Sequence, residues 1–503
     1  MTLLSTLDRL AVVLLLLAPA LADRREQGPG DAPASGLLAG VARVEINPPA
    51  GIVHLNWGSQ THVAAEGIDP AGMKATALVI SDGRQKFAMV DIDTLGVQGL
   101  DEAIGRASAQ TGIPARHIRL AATHTHSGPM LSRQRGPLGT DYNQYEPAFQ
   151  EYRRRMVDRV VEAIVEADRR LKPAHLYGAR GIGTININRR FRASGGMPAA
   201  VGRNPEGFLD RDLSVVRIDD GDGKPIAVLV NYQCHGTVLA YENRLISPDW
   251  IGMTRQVVEQ ALPGALCLYF QGAAGNQGPV EGFTGDLRVA HRLGSVLGHQ
   301  AAALALGIET VRREPRFEGF VESTAYQAKQ HWRVAGPRDS PVRFASRRLE
   351  VPRRRYTPAD IDEMETRIAD AQKKVEEVKA AGDAWKLHQA EARLRRVGDL
   401  LTQWRKPHDG TPIAVDIEAL RIGEVAIFAM PGEPFAEIGA AVKQGSPLAV
   451  TLFCGYSSGA GGDYMPVPAE YSLGGYEVER TPYAPEAAGR VIAAAVELLR
   501  SLR

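Results

Sequence analysis

The sequence predicts an α/β (mixed α+β) fold: β-sheets flanked by helices, with an antiparallel helical hairpin inserted late in the chain. Three observations lead there. Short runs rich in Val, Ile, Leu and Ala, bounded by Gly and Pro, read as buried strands. Longer stretches with apolar residues three and four apart alternate with them and read as amphipathic helices. A charged, heptad-like segment over 358–406 then changes both composition and period. Strands and helices interleaved in this way point to an α/β or α+β enzyme domain. With 503 residues and 44% hydrophobic side chains, the chain can bury a sizeable core.

The elements follow in order. Arg9 precedes an apolar run to Leu17, and Ala20-Leu21-Ala22 supplies a small-x-small cleavage pattern. Residues 1–22 therefore read as a secretory signal peptide, too short to span a bilayer comfortably. The mature protein is expected to be soluble and either secreted or periplasmic. Residues 23–37 read as a flexible lead-in, and 38–503 as one domain carrying the 358–406 hairpin. Strands are expected at 42–46, 75–80 and 87–92, a helix at 100–111, and a buried strand at 117–122. Residues 145–171 form an amphipathic helix, with Val157, Val160, Val161, Ile164 and Val165 on one stripe, ended by Lys172-Pro173. Strands resume at 175–177, 213–218, 226–232 and 265–271, with helices at 251–262 and 289–306. In the hairpin, Ile361, Met364, Ile368, Ala371, Val375 and Val378 step by three and four. After Ala381-Gly382-Asp383 the steps resume at Leu387, Ala390, Leu394, Val397, Leu401 and Trp404. Such a hairpin either props or oligomerises the domain, or covers its site. Strands at 414–422, 424–430 and 448–455, a Gly- and Tyr-rich loop over 456–476 and a helix at 485–502 close the chain.

Charge excludes one class of partner. A net charge of +1, with no long basic block, gives no reason to expect nucleic acid. Cys234, Cys267 and Cys454 are too few and too scattered for a disulfide framework, although one bridge is possible. None sits in a CxxC pair, which argues against a cysteine-rich zinc site.

The chemistry-bearing residues fall at strand ends. His124 and His126 follow the 117–122 strand in Thr123-His124-Thr125-His126-Ser127-Gly128-Pro129. Side chains two apart on an extended chain share a face, so both imidazoles should leave the strand together. Paired neutral imidazoles suit a metal, and equally a hydrogen-bonded pair without one. His235 follows a second strand, Asn276 a third, Glu433 a fourth in Pro431-Gly432-Glu433-Pro434, and Tyr464 lies in the loop after a fifth. Reactive groups gathered at strand ends from distant segments are how a scaffold assembles an active site. Two imidazoles and a carboxylate would suit catalytic zinc, while each residue alone also fits a cap, an ion pair or a structural histidine.

Five ordered strings resemble one family, the neutral/alkaline non-lysosomal ceramidases, in their N-terminal catalytic domain. They are the Thr123–Pro129 string; Asn186-Ile187-Asn188-Arg189 with Asn204-Pro205; His235-Gly236-Thr237 with Ile246-Ser247-Pro248-Asp249; Pro431-Gly432-Glu433; and the loop holding Tyr464, Glu470, Tyr471 and Gly474-Gly475-Tyr476-Glu477. The resemblance implies a secreted zinc hydrolase that cleaves an amide bond, as in N-acylsphingosine to sphingosine and fatty acid. It implies Zn2+ held by His124, His235, Glu433 and Tyr464, with His126, Arg189 and Tyr476 as catalytic residues. His126 would pass a proton to the leaving amine, while Arg189 and Tyr476 would stabilise the oxyanion. The implied partner is a small-molecule or lipid amide, with peripheral membrane contact and oligomerisation through the hairpin as further expectations. Two departures stand out. Gly278, in Gly275-Asn276-Gln277-Gly278-Pro279, occupies the place of a serine important in the family, which implies altered headgroup recognition. The family's C-terminal immunoglobulin-like domain is not expected here, and the hairpin is extra. A different amide, a lactam or an ester therefore stands as an alternative substrate, and a non-catalytic zinc-retaining protein as an alternative function.

Overall fold

Eight strands make the central sheet, in the spatial order Leu266–Gln271, Pro225–Tyr232, Asp212–Asp220, Lys172–Ile182, Leu38–Glu45, Lys74–Ser81, Lys86–Ile92 and Ile118–Ala122. A second sheet of four runs Val342–Val351, Ile413–Ile422, Val425–Ala429, Val450–Cys454. This is a computed structural model, and it describes residues 36–54, 57, 60–129, 146–192, 198–406 and 410–503. The expected signal peptide and nearly all of the lead-in lie outside the described residues.

The two sheets pack face to face. Leu176, Leu229, Leu268 and Phe270 of the central sheet share one apolar core with Ile427, Val450 and Leu452 of the second. Helices cover the remaining faces. Glu146–Arg169 lays Val157, Val160, Val161 and Ile164 against Ala75, Ala77, Val79 and Val90. Trp250–Ala261 and Leu287–Gly307 cover the other half of the central sheet, and Ala436–Gly445 and Ala487–Ser501 cover the second sheet. The result is four layers, helix–sheet–sheet–helix. Most strands are apolar on both faces because both faces are buried, which is why they read as continuous runs rather than alternating ones.

Within these two sheets three adjacent pairs are parallel: Lys86–Ile92 with Ile118–Ala122, Pro225–Tyr232 with Leu266–Gln271, and Val425–Ala429 with Val450–Cys454. Their carboxyl ends open where the expected site residues lie, as ligands do in sheets of this kind.

The helical hairpin forms as its heptads predict, from Pro358–Ala381 and Ala384–Trp404. Met364, Ala371, Val397, Leu400 and Leu401 make its seam. Thr357 and Asp360 form a capping box, and Gly382 takes the left-handed conformation that ends the first helix. Several strands were not anticipated, three of them late in the chain. Val311–Val321 and Gln327–Pro337 form an exposed two-stranded ribbon, and Val342–Val351 is an edge strand. Arg312, Arg313, Glu314, Arg316 and Glu318 crowd the first of them, and a ribbon exposed on both faces has no buried side to impose an apolar pattern. All three cysteines are free and buried, so the possible bridge does not form. Among the described residues no helix is long and apolar enough to cross a membrane.

Candidate metal centre

His124 does not reach the site by strand alternation. The strand ends at Ala122, and His124 has φ 63, a left-handed turn that only the surrounding contacts can hold in a non-glycine residue. Those contacts are specific. The backbone nitrogen of His124 donates to Thr94 O at 3.0 Å, and its Nδ1 lies 2.6 Å from Leu95 O. Thr125 bridges to Gly236, and His126 N donates to Gly236 O at 3.1 Å. The HTH string is thereby laid directly against the second histidine segment.

His235, fully buried, places Nδ1 at 2.8 Å from Ala274 O. A backbone carbonyl at Nδ1 of both His124 and His235 fixes the tautomer, leaving each Nε2 a lone pair aimed into the site. Histidines that hold a metal are oriented in this way. His126 Nε2 lies 3.1 Å from His124 Nε2, and ligand atoms of His124, His126 and His235 all fall within 4.8 Å of one another. Glu433 Oε2 completes the cluster, 3.1 Å from His235 Nε2 and 3.4 Å from His124 Nε2.

Electrostatics agrees with that arrangement. Burial, reinforced by the Arg189 cation, lowers the His235 pKa to about 3. Burial and the neighbouring imidazoles hold His126 well below its usual value. Both rings are neutral at neutral pH. Burial by itself would raise the Glu433 carboxyl, but the imidazoles of His124 and His235 outweigh it and hold it well below the usual carboxylate range. Neutral imidazoles, an ionised carboxylate and locked tautomers are the donor set a divalent cation such as zinc takes.

Glu433 stands on a turn that requires glycine. Gly432 has φ 81, and a Cβ at Gly275 would meet Glu433 O at 2.4 Å. Asn276 supports this turn rather than entering the site: its side chain accepts from Ala436 N and donates to Glu437 Oε2, each at 2.8 Å. Tyr464 is not in an open loop; it pairs strand-wise with Glu433. Its hydroxyl accepts from an Arg189 terminal nitrogen at 3.0 Å, and its ring lies 5.6 Å from that of Tyr476. Arg189 Nε donates to Glu477 Oε1 at 2.9 Å. Burial works against the Arg189 charge, yet Tyr464, Glu477 and Glu433 outweigh it, so the guanidinium is a permanent cation. Gly278 lies against the Arg189 stem, where an added Cβ would sit 3.3 Å from Arg189 Cβ.

The fold therefore brings His124, His126, His235 and Glu433 into one cluster and sets Tyr464, Arg189 and Tyr476 beside it. Sequence reasoning missed two neighbours. Tyr456, at φ 54, packs tilted against His124 with ring centroids 4.4 Å apart, and Trp57 packs tilted against His126 at 5.1 Å. Tyr456 follows the strand Val450–Cys454 just as His124 follows its own, a signal the sequence did carry.

Comparison with known proteins gives the arrangement a lineage. Residues 38–283 match the family profile described as Neutral/alkaline non-lysosomal ceramidase, N-terminal. Over these residues, just under half of the chain, it is similar to that family. It is similar to Neutral ceramidase A of Dictyostelium discoideum, 30% identical over 210 residues, 40% of this chain and 27% of that protein. It is also similar to Neutral ceramidase of Pseudomonas aeruginosa, 26% identical over 406 residues, 73% of this chain and 57% of that protein. The chain thus spans little more than half, or less, of these ceramidases. A crystal structure of neutral ceramidase from Pseudomonas aeruginosa matches 94% of this chain and 75% of its own, with TM-score 0.60 at 21% identity, a likeness of fold. The ceramidase profile contains His124, His126, Arg189 and His235, whereas Glu433, Tyr464 and Tyr476 lie beyond it.

Proposed function

We propose that the chain is an exported, zinc-dependent hydrolase that cleaves the amide bond of an N-acyl lipid of the ceramide kind, giving a fatty acid and an amine. The observation that carries this reading is the convergence of three imidazole Nε2 atoms and one carboxylate oxygen, two of the imidazoles fixed by backbone carbonyls. His124, His235, Glu433 and Tyr464 would hold the ion, with His126 beside them. When bound, zinc supplies Lewis acidity, which lowers the pKa of water to about 7 and polarises a carbonyl.

The chain's own residues do the rest. Arg189, a fixed cation beside Tyr464, binds the amide oxygen and stabilises it as charge develops. Tyr476, next to Tyr464, adds a hydroxyl donor; one such donor is typically worth about 3–4 kcal/mol. His126, neutral and half-buried, takes the proton of the attacking water at Nε2 and returns it to the leaving nitrogen. One C–N bond breaks and one C–O bond forms, and the proton moves from water to the amine. Glu477 and Glu470 do not touch substrate in this scheme; they hold the arginines.

Gly278 favours a second reading, the same chemistry on a different amide, a lactam or an ester. It offers no hydroxyl beside Arg189, so the headgroup contact of a ceramide would have to differ.

The test is metal content of the purified mature protein, measured with turnover on fluorescent ceramide, N-acyl amino acids, simple esters and lactams, with and without chelator. Near-stoichiometric zinc and chelator-sensitive turnover are expected, and Glu433→Ala should lose both. Protein that binds no zinc would end this reading. Zinc with no turnover on any substrate would point instead to a binding role.

A further inference from the structure

The helical hairpin touches residues on two sides of the metal centre. Trp385, in the first turn of the second hairpin helix, lies tilted against Tyr241, ring centroids 6.3 Å apart. Tyr241 packs on Trp57 at 6.4 Å, Trp57 on Phe283 at 5.6 Å, and Trp57 on His126 at 5.1 Å. An aromatic run therefore leads from the histidine cluster to Trp385, which is 38% exposed. On the other side, Arg396 of the same helix stands 4.8 Å over the Tyr476 ring. Eleven residues separate Trp385 from Arg396. That is three turns of helix, so both project from one face, about 16 Å apart.

Three features mark this as a built surface. Glu479 anchors the helix, accepting from Arg396 and, at 2.8 Å, from Arg367, while Trp404 Nε1 donates to Glu479 O at 3.4 Å. Phe283 is held at φ 58, a conformation aromatic residues rarely adopt, with its nitrogen bonded to Thr237 O at 3.0 Å. Trp57 Nε1 is buried, and no hydrogen-bond partner lies among the described residues. An indole donor beside the reacting centre is thus left for a ligand oxygen.

We propose that the hairpin forms the outer wall of the substrate cleft, and that Trp57, Tyr241 and Trp385 make a subsite for a long aliphatic arm of the amide. This rests on the amide-hydrolase reading for the nature of the substrate. His126 lies at the inner end of the run and hands its proton to the leaving nitrogen, which directs the amine-side chain along the rings. Trp385 is a specificity-determining residue, remote from the bond that breaks.

The test separates the subsite from the chemistry. Two probe series are titrated calorimetrically into metal-stripped protein: N-butyl and N-dodecyl acetamide, which vary the amine side, and N-methyl butanamide and dodecanamide, which vary the acyl side. Each methylene lying on the rings changes binding about 4-fold. In the wild type the dodecyl probe should bind more tightly than the butyl probe. Trp385→Ala should reduce that long-to-short ratio at least 10-fold, with Trp385→Phe restoring most of it. Trp332→Ala, on the distant ribbon, controls for handling and should keep the wild-type ratio. A shift confined to the acyl series would support the subsite with the acyl chain as its occupant. An unchanged ratio in Trp385→Ala for both series would overturn the proposal. Because binding is read without metal, chain-length selection with no turnover would count against the hydrolase reading alone.

Discussion

Replacing Glu477 by Gln removes one carboxylate from a buried set of four charges. Its Oε1 accepts from Arg189 Nε at 2.9 Å and its Oε2 from Arg190 at 2.8 Å. Arg190 keeps a second partner in Glu470, at 2.9 Å, and also donates to Gly474 O at 2.8 Å. Among the described residues no second carboxylate is bonded to Arg189, which keeps the Tyr464 hydroxyl. The side chains of Arg189 and Glu477 are only 6% and 1% exposed, so water cannot replace the lost charge. Breaking a buried pair by removing one partner destabilises by about 3–5 kcal/mol. Glutamine retains one acceptor, and Glu470 still neutralises Arg190, so the expected loss is near the low end, about 3 kcal/mol. Because Arg189 is the group proposed to bind the amide oxygen, kcat should fall with stability. Urea unfolding followed by tryptophan fluorescence gives the stability, and turnover at saturating substrate gives kcat. A double-mutant cycle with Arg189→Met gives the coupling between the two side chains, expected to be at least about 1.5 kcal/mol. Stability within about 0.5 kcal/mol of wild type, or additivity with Arg189→Met, would refute the claim that this carboxylate holds the arginine.

Other outcomes follow from the same geometry. Burial, with His62 close by, lowers the His54 pKa to about 3. The unfolded chain takes up that proton near pH 6.5 and the folded chain does not, so stability should fall as pH drops from about 6.5 towards 3. The slope is up to about 1.4 kcal/mol per pH unit per proton, and His54→Phe should flatten it by one proton; parallel pH profiles would exclude His54 as a source. Glu479→Gln should loosen the hairpin, seen as several-fold faster tryptic cleavage at Lys379 and Lys386, and unchanged cleavage would mean that Glu479 is not the anchor. Gly278→Ser places a Cβ 3.3 Å from Arg189 Cβ, a fit that needs a shift of a few tenths of an ångström. Its stability should stay within about 1 kcal/mol of wild type, while the ratio of ceramide to simple-amide kcat/KM changes. A constant ratio would show that position 278 takes no part in headgroup selection.

The sequence made the layers readable wherever burial imposed a pattern. The Glu146–Arg169 helix, the hairpin seam and the strands leading to His124, His235, Glu433 and Tyr456 all carry one. Where burial was absent, so was the signal: Val311–Val321 and Gln327–Pro337 owe their form to pairing with each other. The site was legible as a set of residue types at strand ends, but the expected route for His124 was not the actual one. Strand alternation cannot foresee a left-handed turn held by Thr94 and Leu95. Likewise, no spacing rule joins Trp57 to Trp385 across more than three hundred residues, because only tertiary packing sets those rings in line.

The three free thiols lie in two different layers. Cys454 sits between the two sheets, while Cys234 and Cys267 lie under the helices that cover the central sheet. Burial pushes the Cys454 thiol up to about 12 and the other two well above their usual range. None forms the reactive thiolate while its layer is closed. The thiols are therefore clocks for two separate openings: modification at Cys454 times the parting of the sheets, and modification at Cys234 or Cys267 times the lifting of the helices. A single alkylating reagent, followed residue by residue, would report which seam of the molecule gives way first.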